Sequence, residues 1–412
     1  MTQNLTIQRL LTDKSALNKS RIDHVSIAPV LSEGEVILKI ERAAITTNNI
    51  TYAAFGDAMQ YWDFFPTGAP DWGHMPVWGF ARVAQSKAAG VETGELFYGY
   101  FPIASHIRMQ AERVSERGFY DGSDHRRTLV SAYNQYTRCS DDPAYRAGNE
   151  NYQMLVRPLF ITSFVLDLVL AQAQLHGART IVISSASSKT AYGLAFLLTQ
   201  RALEQRGYAV LGLTSARNLA FVGTLGVYDR VLDYDALAML DERAPTVYVD
   251  FIASQAVRAG LRARLGGALV REYLVGFLSR ETSDVVPFFA PDVIRAQATA
   301  LGRAVFAERF AAAWRAFVQF VAHHPAEPLR VRAERGGAAL ERVYDALLAG
   351  TLSPRDGVSA ILRLMGCGPI SGAAVSRRIK AEDTWPNRRP PSRHRARGSP
   401  RRSGRWRAAP TD

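Results

Sequence analysis

Ser184-Ser185-Ala186-Ser187-Ser188-Lys189-Thr190-Ala191 concentrates hydroxyls and one amine between an apolar run, Thr180 to Ser184, and a stretch of helical periodicity, Thr190 to Arg206. Such a junction favours an anion, because the first turn of a helix leaves N–H donors unpaired and carries partial positive charge. Ser185, Ser187, Ser188, Lys189 and Thr190 are therefore candidate phosphate ligands. Helix capping by the same hydroxyls is the alternative reading. The loop contains no glycine, although a dinucleotide-binding turn ordinarily uses glycines to bring its backbone close to the pyrophosphate. Binding here would lean on hydroxyls and on Lys189. A Walker-type loop is excluded, since neither glycine of that motif precedes Lys189-Thr190 at the required spacing.

The next apolar run ends in Leu213-Thr214-Ser215-Ala216-Arg217, where an acid would otherwise hold ribose hydroxyls. Thr214, Ser215 and Arg217 suit a 2′-phosphate instead, because a guanidinium matches phosphate oxygens geometrically. The residues thus favour NADPH over NADH as a ligand; an exposed arginine opening a helix fits the same residue types.

These loops need elements to hold them. Residues 34–46 alternate apolar and polar positions, as a half-buried strand does, and Val77 to Ala84, Glu95 to Phe101 and Ser105 to Met109 read as further strands of a β-rich domain. Residues 120–157 are polar and read as a long connection. From Leu159 the pattern alternates: helix to His176, strand Thr180 to Ser184, helix from Thr190, strand Ala209 to Leu213, helix Asn218 to Leu225, strands at Arg230 and Thr246, helix Gln255 to Leu265, and a strand within Ala268 to Phe277. Short apolar strands alternating with helices imply a parallel sheet covered on both faces. Helices follow from Arg303 to His323 and Ala338 to Ala349, placed at the junction of the domains. The apolar stretch Leu159 to Leu175 contains Asp167 and two glutamines and reads as a core helix, with no membrane span.

The chain carries a net charge of +12, but Arg377 to Asp412 hold 12 Lys/Arg against 3 Asp/Glu and account for +9 of it, leaving +3 for the body. That Arg/Pro/Ser/Gly tail has too little apolar surface to fold and reads as disordered. It lacks the aromatic interleaving of sequence-specific nucleic-acid binders, so no specific nucleic-acid partner is expected. Cys139 and Cys367 are too few for a disulfide framework, and with no secretory core near Met1 a soluble, cytoplasmic protein is expected.

The order of segments resembles the medium-chain dehydrogenase/reductase superfamily, in its quinone and enoyl reductase branch, over about residues 30–365. Gly34-Glu35-Val36-Ile37-Leu38-Lys39-Ile40 and Pro76-Val77-Trp78-Gly79-Phe80-Ala81-Arg82-Val83 resemble its opening strands, and Gly94-Glu95-Leu96-Phe97-Tyr98-Gly99 stands at its Gly-Asp-Arg-Val-x-Gly turn. Leu225-Gly226-Val227-Tyr228-Asp229 is similar to its Leu-Gly-Ala-Asp segment. Gly336 to Leu362 resembles the return to the first domain. With the Ser-rich loop in place of the glycine-rich one, the chain is similar to a divergent family of unknown function related to quinone oxidoreductases.

The resemblance implies an α/β fold: a GroES-like β-rich domain (1–157), a doubly wound Rossmann-like domain (158–302), C-terminal helices returning to the first domain (303–376) and the tail (377–412). It implies an NADPH-dependent, zinc-independent reductase of quinones or enones acting on a small apolar substrate, and a possible homodimer. Two isolated cysteines cannot build the zinc sites of alcohol dehydrogenase-like relatives; Cys139 with His74 or His106 fits packing better, so no metal is expected. The segment Thr46 to Tyr52 falls where such enzymes place cleft residues: Tyr52 is the candidate proton donor and Asn49 the candidate hydrogen-bond donor to a carbonyl, although packing and turn roles suit both. The aromatic run Tyr61 to Pro66, with Trp72 and Trp78, suits either an apolar pocket or a core satellite. The rival reading is a protein that keeps the fold, has lost dinucleotide binding, and serves as an interaction or ligand-binding module.

Overall fold

The computed structural model describes residues 4–201, 207–276 and 285–361; the basic tail and Cys367 lie outside the described residues. The first half runs β1 (Leu5–Asp13), β2 (Ser20–Ile27), β3 (Glu35–Ile45), α1 (Thr47–Ala54), β4 (Trp72–Gly73), β5 (Val77–Ser86), β6 (Leu96–Phe101), β7 (His106–Ser115), β8 (Gly118–Asp121) and β9 (Gln135–Arg138). Strands β3-β5-β6-β9-β8-β7 pair antiparallel in that order, and β7 returns to β3 from Glu35↔Gln110 to Lys39↔His106, closing a barrel. Val36, Leu38 and Ile40 of β3 recur with the period of two that a pleated strand imposes and join one core with Val83, Phe97, Met109 and Phe119. Strands β2, β1 and β4 form a separate small sheet.

The stretch expected as a long connection, 120–157, differs. Strand β9 and the end of β8 lie within it and complete the barrel, because Phe119 and Tyr136 bury their rings face to face at 5.2 Å. The following helix, α2 (Glu150–Gln172), starts earlier than its apolar run and carries Pro158 inside it. Its polar first turn and the proline conceal this start in the sequence.

Next come β10 (Thr180–Ile183), α3 (Lys189–Gln200), β11 (Ala209–Thr214), α4 (Leu219–Thr224), β12 (Arg230–Asp233), β13 (Thr246–Asp250), α5 (Gln255–Leu265), β14 (Leu269–Val275), β15 (Val285–Phe288), α6 (Ala290–Leu301) and α7 (Arg303–His323). The sheet order is β12-β11-β10-β13-β14-β15, all parallel. The order reverses between β10 and β13, and the crevice beyond the carboxyl ends at such a point is where open α/β sheets bind ligands.

Helix α2 is long and apolar enough to cross a membrane by length and composition, yet Phe160, Phe164, Val165, Leu166 and Leu170 are buried in the protein core. Phe160 stacks on Phe317 of α7 with centroids 4.3 Å apart, so α7 belongs to the core of the doubly wound half. The chain then returns through β16 (Arg330–Arg335), α8 (Gly337–Leu348) and β17 (Asp356–Ile361). Strand β17 pairs with β3, and α8 buries Leu340, Val343 and Leu347 in the barrel core. The link between α8 and β17 borders the crevice.

Candidate functional site

A cleft of about 710 Å³ lies between the barrel and the doubly wound half. All eight residues singled out around the two loops line it: Ser185, Ser187, Ser188, Lys189, Thr190, Thr214, Ser215 and Arg217. They converge because β10 and β11 are parallel neighbours, with Ile183 opposite Gly212, so both loops leave the same edge of the sheet. Thr214 and Ser187 are buried, Ser185, Ser188, Lys189 and Thr190 are half-buried, and Arg217 is exposed.

The loop replaces glycine by other means. Ser185 adopts the left-handed conformation at φ 51°, a region costing a side-chain-bearing residue about 1 kcal/mol or more. The turn is held by Ser188 N–H donating to the Ser185 carbonyl (2.7 Å) and by Ala186 N–H donating to that of Leu213 (3.0 Å). Close approach of loop and strand is obtained on the strand side. A Cβ on Gly212 would lie 2.8 Å from that of Ala186 and 3.0 Å from the Tyr228 ring, and Tyr228 donates its hydroxyl to the Ala186 carbonyl (3.0 Å). Below the loop, the Ser184 hydroxyl donates to Asp250 (3.1 Å) and accepts from Phe251 N–H (2.8 Å), tying β10 to β13.

Several anion-facing groups already have partners. Ser188 caps α3 by accepting from Ala191 N–H (3.3 Å), Asn218 donates to the Ser187 hydroxyl (3.2 Å), and Ser185 N–H donates to the Tyr234 hydroxyl (2.9 Å). The Lys189 ammonium donates to the carbonyls of Pro354 (2.8 Å) and Asp356 (3.4 Å). Desolvation brings its pKa down to about 8, partly opposed by Asp356. Among the described residues Lys189 and Arg217 give the cleft two cationic groups, against the carboxylate of Asp356.

Across the cleft the barrel presents Ile45, Thr46, Asn48 and Thr51. Asn49 and Tyr52 lie behind that wall. Asn49 is buried; its amide oxygen accepts from Thr46 N–H (2.6 Å) and its amide nitrogen donates to the Pro76 carbonyl (2.8 Å). Tyr52 is buried among Tyr61, Phe64, Phe65 and Tyr100, accepting from Trp78 Nε1 at 3.3 Å. Burial pushes its phenol pKa well up, although hydrogen bonds from Trp78 and Asn48 oppose that shift. The aromatic run is thus largely core: Tyr61, Trp62, Phe64 and Phe65 are buried, and Trp62 and Trp72 border a separate open depression of about 520 Å³. Tyr234, Asn218, Phe251 and the 350–356 segment complete the cleft, and no local motif announced them.

His74 is buried, its pKa lowered to about 3 by desolvation first and by Arg9 second, and Cys139 is a buried thiol pushed up to about 12 chiefly by burial. Among the described residues no group of three or more His, Cys, Asp or Glu is placed to hold a metal ion.

A closed antiparallel barrel, a six-stranded parallel sheet in this order and a cleft between them define a medium-chain dehydrogenase/reductase fold, with a GroES-like and a Rossmann-like part. The chain belongs to DUF2855, a family of proteins of unknown function, whose pattern matches residues 43–353. Solved structures share the fold. CurA of Vibrio vulnificus, in complex with NADPH, is 14% identical and superposes with a TM-score of 0.54 over 87% of this chain and 99% of its own. The CurK enoyl reductase is 12% identical with a TM-score of 0.51, covering 87% and 99%. The yhdH oxidoreductase of Salmonella enterica, in complex with NADP, is 14% identical with a TM-score of 0.50, covering 86% and 100%. No curated protein matches the chain.

Proposed function

We propose that the protein is a zinc-independent, NADPH-dependent oxidoreductase of quinone or enone reductase type, reducing a small apolar, carbonyl-conjugated substrate. The observation that carries this reading is the convergence of the 184–190 loop and Arg217 on one cleft at the reversal of the parallel sheet. The donor set suits the ligand: hydroxyls, a helix N-terminus and an ammonium for a pyrophosphate, and Thr214, Ser215 and Arg217 for a 2′-phosphate. When bound, the nicotinamide would supply a hydride.

The chain's own residues would bind, orient and exclude water. Ser187, Ser188 and Lys189 would hold the phosphates, and Asn48 and Thr51 would present polar atoms to a substrate carbonyl. Leu159 and Phe251 would shield the apolar end. Tyr52 would keep its proton and act through Asn48 on a group in the cleft. The cysteine usage suits the reducing cytoplasm, and a homodimer is the expected assembly.

The experiment is a turnover screen: the full chain with NADPH and a panel of quinones and enones, followed by loss of nicotinamide absorbance. Turnover supports the reading, and its absence across a panel that binds would remove the reductase assignment. One set of contacts favours a second reading, a fold-retaining ligand-binding or interaction module. Ser185 N–H already donates to Tyr234, and the Lys189 ammonium already commits two of its three N–H donors to Pro354 and Asp356.

A further inference from the structure

Of the chain's 50 basic residues six are lysines, and between Lys87 and Lys380 a single lysine occurs, Lys189. Arginine serves almost everywhere else as the cation, including in the ion pairs Arg126–Asp121, Arg201–Asp167 and Arg262–Glu272. What an amine offers and a guanidinium does not is a lone pair within reach of neutral pH.

The geometry favours its exposure to a ligand. The Nζ atom sits on the cleft wall and sends two N–H bonds to the Pro354 and Asp356 carbonyls. Among the described residues the third tetrahedral position of the nitrogen, a proton in the ammonium and a lone pair in the amine, has no partner. The same cleft offers Ser187, Ser188 and Arg217 to an anion.

We propose that Lys189 is a covalent modification site, forming an imine with a phosphorylated aldehyde bound in this cleft. The neutral amine attacks the carbonyl carbon, a C–N bond forms and the oxygen takes a proton. The hydroxyl then leaves as water, the second nitrogen proton being delivered to it through solvent, and the C=N bond remains. No electrons are exchanged, and no co-reactant is needed. The lowered pKa of about 8, set by desolvation and opposed by Asp356, populates part of the attacking form near neutral pH; Arg217 is the other charged residue lining the cleft among the described residues. The proposal goes beyond the reductase reading and does not depend on it.

The test uses the full chain with pyridoxal 5′-phosphate as the probe, brief borohydride trapping near neutral pH, and peptide mass mapping. Lys14, Lys19, Lys39 and Lys87 serve as internal controls. The expected result is a trapped adduct on Lys189 at about tenfold or more the level of each control, slowed by excess inorganic phosphate and weaker with pyridoxal lacking the phosphate. Equal labelling of all these lysines would overturn the proposal, and labelling of Lys189 indifferent to the phosphate would overturn the ligand class. An adduct formed by a protein that does not bind NADPH would sink the reductase reading alone; uniform labelling of one that does would sink this inference alone.

Discussion

The Lys189 ammonium lies 2.8 Å from the carbonyl oxygen of Pro354, so a side chain on the first turn of α3 spans the cleft to the segment leading into β17. The two halves of the fold are joined there by a charge held partly out of water. Several consequences are measurable.

The pKa of Lys189 falls from 10.5 to about 8 in the folded state. A lysine depressed on folding opposes the folded state wherever it is charged. The penalty is therefore complete below pH 8, shrinks between pH 8 and 10.5, and is gone above that range. Lys189→Met removes the titration. Urea unfolding across this window should show wild type gaining about 1–3 kcal/mol relative to the variant as pH rises, with half-exposure of the side chain favouring the lower figure. Parallel pH profiles would contradict the assigned environment.

Ser185 holds a left-handed backbone at φ 51°. Ser185→Gly relieves that strain but frees the unfolded chain, so stability should stay within about 0.5 kcal/mol of wild type. Ser185→Val should cost about 1–3 kcal/mol. Denaturant midpoints decide, and equal losses in both variants would show that the conformation is not the cause.

Gly212 provides the room that Ala186 occupies. Gly212→Ala brings a Cβ to 2.8 Å from that of Ala186 and should cost about 1–3 kcal/mol. Adding Ala186→Gly should recover part of the loss, the Tyr228 ring contact remaining. A double-mutant cycle that is purely additive would refute the pairing.

Asn48 and Asn49 are neighbours with opposite assignments. Asn49→Ala leaves the Pro76 carbonyl and Thr46 N–H without their partner and should lower stability by about 1–3 kcal/mol. Asn48→Ala, which loses one bond to the Tyr52 hydroxyl, should lower stability by less than Asn49→Ala while altering ligand affinity. The reverse pattern would move the cleft face of α1 by one residue.

That last pair shows where the sequence stops being informative. The βαβ alternation was legible because Thr180–Ile183, Ala209–Thr214 and Thr246–Asp250 are short apolar runs between helical patterns, and the hydroxyl-rich loop was legible from position alone. Helix α1 was not, since an eight-residue element carries too few turns for its apolar phase to be read: residues 49 and 52 share one face, 48 and 51 the next. Only the Thr46 cap and the Pro76 carbonyl decide which face is inward. Strands β8 and β9 were hidden for a related reason, each being four residues long and defined by pairing with distant neighbours. The 350–356 segment reaches the cleft through tertiary pairing of β17 with β3, which no local pattern encodes.

The most direct test of the central claim is a titration of the full chain with NADPH and NADH, followed by nicotinamide fluorescence and by the rise in melting temperature that a native-state ligand produces. The account predicts binding of both with a preference for NADPH, the preference falling by about tenfold in Arg217→Ala while the fold is retained. Failure of either dinucleotide to bind at millimolar concentration would contradict it, and would leave the internally satisfied loop as the mark of a protein that keeps the reductase fold without its cofactor.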